Sequence, residues 1–382
     1  MQLVWTRTIL GGAAILFLLS VSLAGQQAQP APRPPLSHEV FKNVVVLRGI
    51  PADEFLATMG FFSSSLNLNC TDCHVEASLG DWARFADDVP RKQTARRMIL
   101  MTAAINKTYF QGRSVVTCYS CHRFSDRPKV IPNLAELYGS LAEEDPEEIL
   151  QQTPDAPSPE SILDKYIEAL GGAQRLATVT SVVATGTQEG YIGDISPVEI
   201  YAKAPTQRAT VVHTTKGDSV TTYDGRAGWI ASPSTETPVP LYPLVGTFLD
   251  AARVEAELSF PGRIKEVLTE WRVGWPFMID GRDVWVVQGR LAPGTPQVKL
   301  YFDKESGLLT RLVRHTASPV GLNPTQIDYA DYRDVSGVKM PFRWVVSWTD
   351  GQSTIQLDDV RLNVPIADAR FARPAQPAPV AR

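Results

Sequence analysis

The sequence predicts a multidomain α + β chain: an α-helical front domain followed by an antiparallel curved sheet, an incomplete β-barrel carrying one helix. Three observations predict it. Before residue 140, two stretches place apolar residues at helical spacing, and each runs into the same five-residue pattern. An acidic segment with three prolines follows. Beyond it the texture changes to short runs rich in Val, Thr and Tyr, separated by polar turns.

The chain has 382 residues, room for about two domains that each bury a core. Charged residues make up 20% and the formal net charge is -4. There is no basic excess or basic run, so nucleic acid is not an expected partner. Residues 1–25 have a targeting layout. Arg7 precedes an apolar stretch from Ile9 to Leu23, and Ser22-Leu23-Ala24 supplies a small-x-small cleavage pattern. The apolar run is short for a span of about 20 residues, so a cleaved signal peptide is preferred to an uncleaved anchor. The expected location is periplasmic or otherwise exported, with membrane association through that segment if it is retained. No Cys lies near it to carry a lipid.

Residues 26–37 read as a proline-rich tether. Residues 38–140 form the helical domain. Phe55, Met59, Phe62 and Leu66 define one helical face, and Ala95 to Tyr109 reads as a second helix with Met98, Met101, Ile105 and Tyr109 on its apolar side. Residues 141–157 read as an acidic linker containing Pro146, Pro154 and Pro157. Ser158-Pro159-Glu160 opens a helix with an N-cap and a first-turn proline; Leu163, Tyr166, Ile167 and Leu170 form its stripe, and Gly171-Gly172 end it. Strands are expected over 179–190, 198–204, 207–215, 219–223, 284–291, 297–302, 308–316, 327–332, 342–349 and 353–360, with Asp224-Gly225 as a tight turn. The β domain runs over 158–371, and 372–382 is a disordered tail.

The repeated pattern carries the chemistry. Cys70-Thr71-Asp72-Cys73-His74 and Cys118-Tyr119-Ser120-Cys121-His122 use all 4 cysteines of the chain. C-x-x-C-H is the attachment signature of a c-type haem. One helical turn puts both sulfurs on one face, opposite the two vinyl edges of a porphyrin, and the next residue brings a neutral imidazole to the iron. Two covalently bound haem c groups are therefore expected, held by Cys70, Cys73, Cys118 and Cys121, with His74 and His122 as axial ligands. A zinc site would use the thiols, but its usual gap of about 15–20 residues is much shorter than the stretch from Cys73 to Cys118. Zinc and two local disulfides leave the adjacent histidines unexplained, and a thioredoxin-like motif expects one pair in a βαβ setting, which the sequence does not offer.

The remaining iron position needs a ligand. Of the 6 Met, only Met59, Met98 and Met101 lie in the helical domain beyond the signal. A lone Met on an apolar face is core filler. Here each motif has one upstream, so Met59 and Met98 are the candidates, with Met101 one turn away as the rival to Met98. His38 is a lesser candidate; His213 and His315 sit in strands and read as structural. Arg91, Lys92, Arg96, Arg97 and Arg123 cluster around the second motif. Arg97 and Arg123 are candidates to pair with haem propionates; a solvated helix face or a docking patch explains such residues equally well.

These residues resemble the cytochrome c subunit of photosynthetic reaction centres. The carriers of the resemblance are the segment Arg96-Arg97-Met98-Ile99-Leu100-Met101-Thr102-Ala103-Ala104-Ile105-Asn106 leading to Cys118-Tyr119-Ser120-Cys121-His122-Arg123, and Phe55-Leu56-Ala57-Thr58-Met59 leading to Cys70. The resemblance implies a helix-borne Met ligand for each haem, Met59 for the first and Met98 for the second. The family usually carries four haems, so two motifs look like half of that subunit. The later half more faintly resembles periplasmic lipoprotein-carrier domains, through Gly171-Gly172, Tyr223-Asp224-Gly225, Phe302-Asp303-Lys304-Glu305-Ser306-Gly307-Leu308 and Asp331-Tyr332-Arg333-Asp334 before Gly337. That likeness implies a concave face able to hold an apolar ligand or dock a partner.

The leading functional expectation is an exported dihaem electron carrier serving a redox protein or a membrane-bound electron-transfer complex. No G-x-S-x-G, H-E-x-x-H or phosphate loop is present. Two alternatives come from other classes: a dihaem peroxidase-like enzyme, which needs one open iron position, and a periplasmic carrier of an apolar molecule acting through the β domain.

Overall fold

The computed structural model describes residues 33–131, 150–233 and 237–377. The signal-peptide reading, most of the tether, the first part of the linker and the last residues of the tail lie outside the described residues. Residues Arg33–Arg382 cluster as one compact unit.

The front half is helical. After a short α1 (Ser37–Val40) come α2 (Ala52–Leu66), α3 (Cys70–Cys73), α4 (Pro90–Tyr109) and α5 (Cys118–His122). Helix α4 starts one turn earlier than expected, because Pro90 occupies its first position, where a missing N–H costs nothing. In the later half α6 (Pro159–Ala169) follows the sequence closely. The Ser158 hydroxyl accepts from the Ser161 N–H, and Gly171 and Gly172 adopt φ of 124° and 87°. At Gly171 a Cβ would stand 2.3 Å from the Gly337 carbonyl, so only glycine fits this close approach. The whole expected stripe is buried: Leu163 and Leu170 at 1%, Tyr166 at 5% and Ile167 at 7%.

Among the described residues, fourteen strands form one antiparallel sheet in the order β6-β5-β4-β3-β2-β1-β14-β13-β12-β11-β10-β9-β7, with β8 also on β9. They are β1 (Ser181–Glu189), β2 (Ile195–Lys203), β3 (Gln207–Thr214), β4 (Gly217–Tyr223), β5 (Gly228–Ala231), β6 (Leu241–Leu244), β7 (Thr269–Val273), β8 (Phe277–Ile279), β9 (Arg282–Arg290), β10 (Gln297–Asp303), β11 (Leu309–Ser318), β12 (Gly321–Val335), β13 (Val338–Trp348) and β14 (Gly351–Leu362). The sheet is open, with β6 and β7 at its two ends.

One face carries α6 and α8 (Gly246–Leu258), following the short α7 (Ala173–Leu176); Leu163, Leu170, Val254, Leu300, Phe302 and Leu312 join in a single core. Side chains such as these contribute about 1.5–3 kcal/mol each when fully buried. Across the other face runs the segment after β14. Phe371 is fully buried there, Ser181 Oγ donates to the Val364 carbonyl at 2.6 Å, and Arg370 stacks over Tyr201.

Two differences from the sequence reading stand out. The β domain holds a second long helix, α8, where one helix was expected. Its apolar side is built from Ala251, Val254 and Ala256, and alanine leaves little periodic signal. The segment before α6, read as linker, lies along the sheet from Leu150 onward. The Thr153 N–H donates to Val273 O at 3.0 Å, and Val273 N–H donates to Gln152 Oε1 at 2.9 Å. These bonds occupy the exposed edge of β7.

Candidate haem-binding site

Each C-x-x-C forms one short helix, which takes in His122 in the second motif and stops before the extended His74 in the first, and in each the preceding residue caps it. Asn69 Oδ1 accepts from the Thr71 and Asp72 N–H groups at 3.0 and 3.2 Å, and Asp72 returns a carboxylate to Asn69 N–H at 2.9 Å. Thr117 Oγ1 accepts from Ser120 N–H at 3.3 Å while Ser120 Oγ accepts from Thr117 N–H at 3.0 Å. Reciprocal caps hold helices too short to persist alone. All four thiols are free, and neither pair forms a disulfide. Burial pushes the Cys73 thiol up and the Cys118 thiol up to about 11.

The histidines are prepared in the same way. His74 Nδ1 faces the Phe85 carbonyl at 3.2 Å, and His122 Nδ1 faces the Ser125 carbonyl at 2.9 Å. A carbonyl can only accept, so Nδ1 carries the proton and Nε2 keeps its lone pair, the tautomer a metal requires. Burial, then the charge of Lys92, hold His74 below its ordinary pKa and keep it neutral. His38 is wired in the opposite sense. Its Nδ1 accepts from the Gly49 N–H at 3.2 Å, which leaves the proton on Nε2. In the β domain, His213 Nδ1 pairs with Asp218 at 2.8 Å and His315 lies buried against Gln297 O.

The methionines sit on the two long helices. Met59 is half-buried on α2, with Phe55, Phe62 and Leu66 of its stripe in the same state. The fully buried side of α2 is instead Ala52, Asp53, Thr58, Gly60, Phe61 and Ser65, small or polar apart from Phe61. On α4 only Thr102 and Asn106 are buried, while Met98 is 37% and Met101 47% exposed. Both helices thus turn an apolar stripe away from the protein interior, as a porphyrin face would require.

The two units interlock. Helix α2 packs on α5, and α3 packs on α4. The Phe124 N–H donates to Ser65 O at 3.1 Å, and Arg91 approaches Asp72 at 3.7 Å. The basic cluster divides by its contacts. Lys92 donates to the carbonyls of Phe85, Ala86 and Asp87, and Arg96 pairs with Asp88 at 2.8 Å and bonds Asn43 O. Arg97 meets only the Thr94 hydroxyl of its own helix, and Arg123, in a left-handed conformation at the end of α5, has no side-chain partner among the described residues.

The donor set fits a covalent haem at each motif: two thiols one turn apart, an adjacent imidazole with Nε2 unused, and flanking apolar stripes. It does not fit a shared zinc site, because no three His, Cys, Asp or Glu side chains converge among the described residues. Asn106 is the residue that sequence reasoning missed. Its amide bonds Val116 O, Val115 N–H and Val116 N–H, which shapes the loop entering the second motif. A polar residue on the buried side of a helix was the available signal.

Known proteins match the chain in two separate regions. Structural likenesses over the later half include a LolA superfamily protein from Nitrosomonas europaea (15% identity, 57% of this chain and 98% of that one, TM-score 0.39). A DUF1329 family protein from Desulfovibrio piger matches at 11% identity over 56% and 96%, TM-score 0.40. Among curated relatives, the photosynthetic reaction center cytochrome c subunit of Thermochromatium tepidum is 36% identical over 99 residues, 25% of this chain and 23% of that one. The same subunit of Rubrivivax gelatinosus is 34% identical over 101 residues, 25% and 26% of the two chains. The chain therefore spans about a quarter of the length of those relatives. Residues 20–144, which contain both C-x-x-C-H helices, match the family described as Photosynthetic reaction centre cytochrome C subunit.

Proposed function

We propose that this chain is an exported dihaem c-type cytochrome that passes electrons between a donor and an acceptor, one of them a redox protein or a membrane-bound electron-transfer complex. The observation that carries the reading is the paired histidine wiring. Both imidazoles next to a C-x-x-C pair give Nδ1 to a carbonyl and leave Nε2 for iron. A bound haem supplies a one-electron couple at its iron. The protein's own part is to hold His74 and His122 in the right tautomer, to offer Met59 to the first group and Met98, with Met101 as rival, to the second, and to exclude water with the α2 and α4 stripes. Arg97 and Arg123 hold propionates through charge-assisted hydrogen bonds. Residues 38–140 form the haem domain, 141–157 the connection and 158–371 the β domain. No helix among the described residues is long and apolar enough to cross a membrane.

The test is redox-titrated visible spectroscopy of the wild type and of Met59→Ala, Met98→Ala and Met101→Ala. Met59→Ala should lower the potential of one haem and open its iron, and Met98→Ala should do the same to the other. If Met101→Ala does so in place of Met98→Ala, the second ligand is Met101. A carbon monoxide shift in the reduced wild type would favour the peroxidase-like reading. An apolar molecule retained in native mass spectrometry of the full chain would favour the carrier reading.

A further inference from the structure

Helix α2 does not lie free beside the sheet. It rests on the ends of strands at two points. At Gly60, the residue after Met59, a Cβ would stand 2.8 Å from Thr349 Oγ1 and 2.9 Å from Asp350 Oδ2. The β13–β14 turn therefore touches the helix backbone beside the sulfur-bearing residue. At the next position Phe61 is 7% exposed, and its ring covers Gly321, where a Cβ would meet ring carbons at 2.6 and 2.8 Å. Gly321 opens β12 at the β11–β12 turn, and the same Cβ would lie 3.3 Å from Thr117 Cγ2, the cap of α5. At the other end of α2, Asp53 is 7% exposed, and burial first, then the charge of Asp53, push the Tyr242 phenol of β6 up.

We infer that these strand ends form a seat that fixes the height of α2, and with it the Met59 thioether, so that the β domain sets the reduction potential of the first haem. Gly60 is a positioning residue: its lack of a side chain lets the helix settle on Thr349 and Asp350. The potential responds because a thioether–iron bond is sensitive to small changes in ligand placement. Packed interfaces shift as bodies when overfilled, so a methyl group pushed between turn and helix moves the helix. The two turns differ in reach. The β13–β14 turn meets α2 at Gly60, whereas the β11–β12 turn meets both Phe61 and the cap of the second motif. This inference rests on Met59 being a ligand.

The experiment is potentiometric titration of the full holoprotein, read by the thioether–iron absorption band. Gly60→Ala and Gly60→Val should lower the midpoint of the haem that Met59→Ala affects, Val more than Ala, with the other haem unchanged. Gly321→Val should move both midpoints. Thr349→Ala and Asp350→Gly combined with Gly60→Ala should return the first midpoint toward wild type, because both side chains that obstruct the new methyl are gone; this combination also guards against loss of folding in the Gly60 variants. Met59→Ala affecting one haem while the Gly60 variants leave both midpoints in place overturns the seat and spares the ligand assignment. Met59→Ala leaving both haems unaltered overturns the ligand assignment, and the seat with it.

Discussion

Asn106 shows how much one side chain does near the second motif. It is 8% exposed and makes three hydrogen bonds to the loop at Val115 and Val116. Asn106→Ala should cost about 2–3 kcal/mol, since it strands buried backbone groups as well as deleting bonds. Thermal unfolding of the holoprotein checks this, and the haem stain per chain should fall toward half. Asp53 gives a pH prediction. Burial lifts its carboxyl above the ordinary range, and Oδ2 has no partner among the described residues. A group whose native pKa is raised binds more protons folded than unfolded, so its contribution to stability falls as pH rises above about 4. Asp53→Asn should remove that slope and stabilise the neutral protein by about 1 kcal/mol. A stability difference between variant and wild type that stays constant from pH 4 to 7 would falsify this account.

At the scale of elements, the short motif helices depend on their caps. Asn69→Ala should destabilise α3 by about 1 kcal/mol and slow haem attachment at Cys70 and Cys73, measured as the fraction of singly loaded chains by intact mass. The cap at Ser158, the stop at Gly171-Gly172 and the ten expected strands were legible in the sequence because each is set by local rules: a hydroxyl before a proline, glycine at positive φ, alternating β-branched residues. Strands β5, β6, β7 and β8 were not foreseen. They have three to five residues each, and their neighbours supply the pairing. The buried side of α2 was hidden for a different reason. Thr58, Gly60 and Ser65 carry no hydrophobic signal, and strand ends lie against this side of the helix at Gly60 and Phe61. The cysteines and histidines stand out as a candidate site from their order alone, but the choice among Met59, Met98 and Met101 depends on which helix face looks inward. The sequence marks two faces of α2 without ranking them.

At the scale of the molecule, the two C-x-x-C-H units share an interface, since each motif helix packs on the long helix of the other. Protein made in a host unable to attach haem should lose the front half while keeping the sheet. Hydrogen exchange should show slow amides in β9 to β13 and fast amides throughout α4, where Met98, Leu100, Met101 and Tyr109 lie exposed. Slow exchange in α4 of the haem-free chain would sink that expectation. The strand order carries a further consequence. β14, the last strand, lies between β1 and β13 in the middle of the sheet. A polypeptide threaded outward from its N-terminus presents Cys70 through Cys121 long before the residues that complete the sheet arrive. On the proposed reading of an exported haem protein, the thiols are thus open to porphyrin attachment while the scaffold is still half-built and its last strand has yet to arrive.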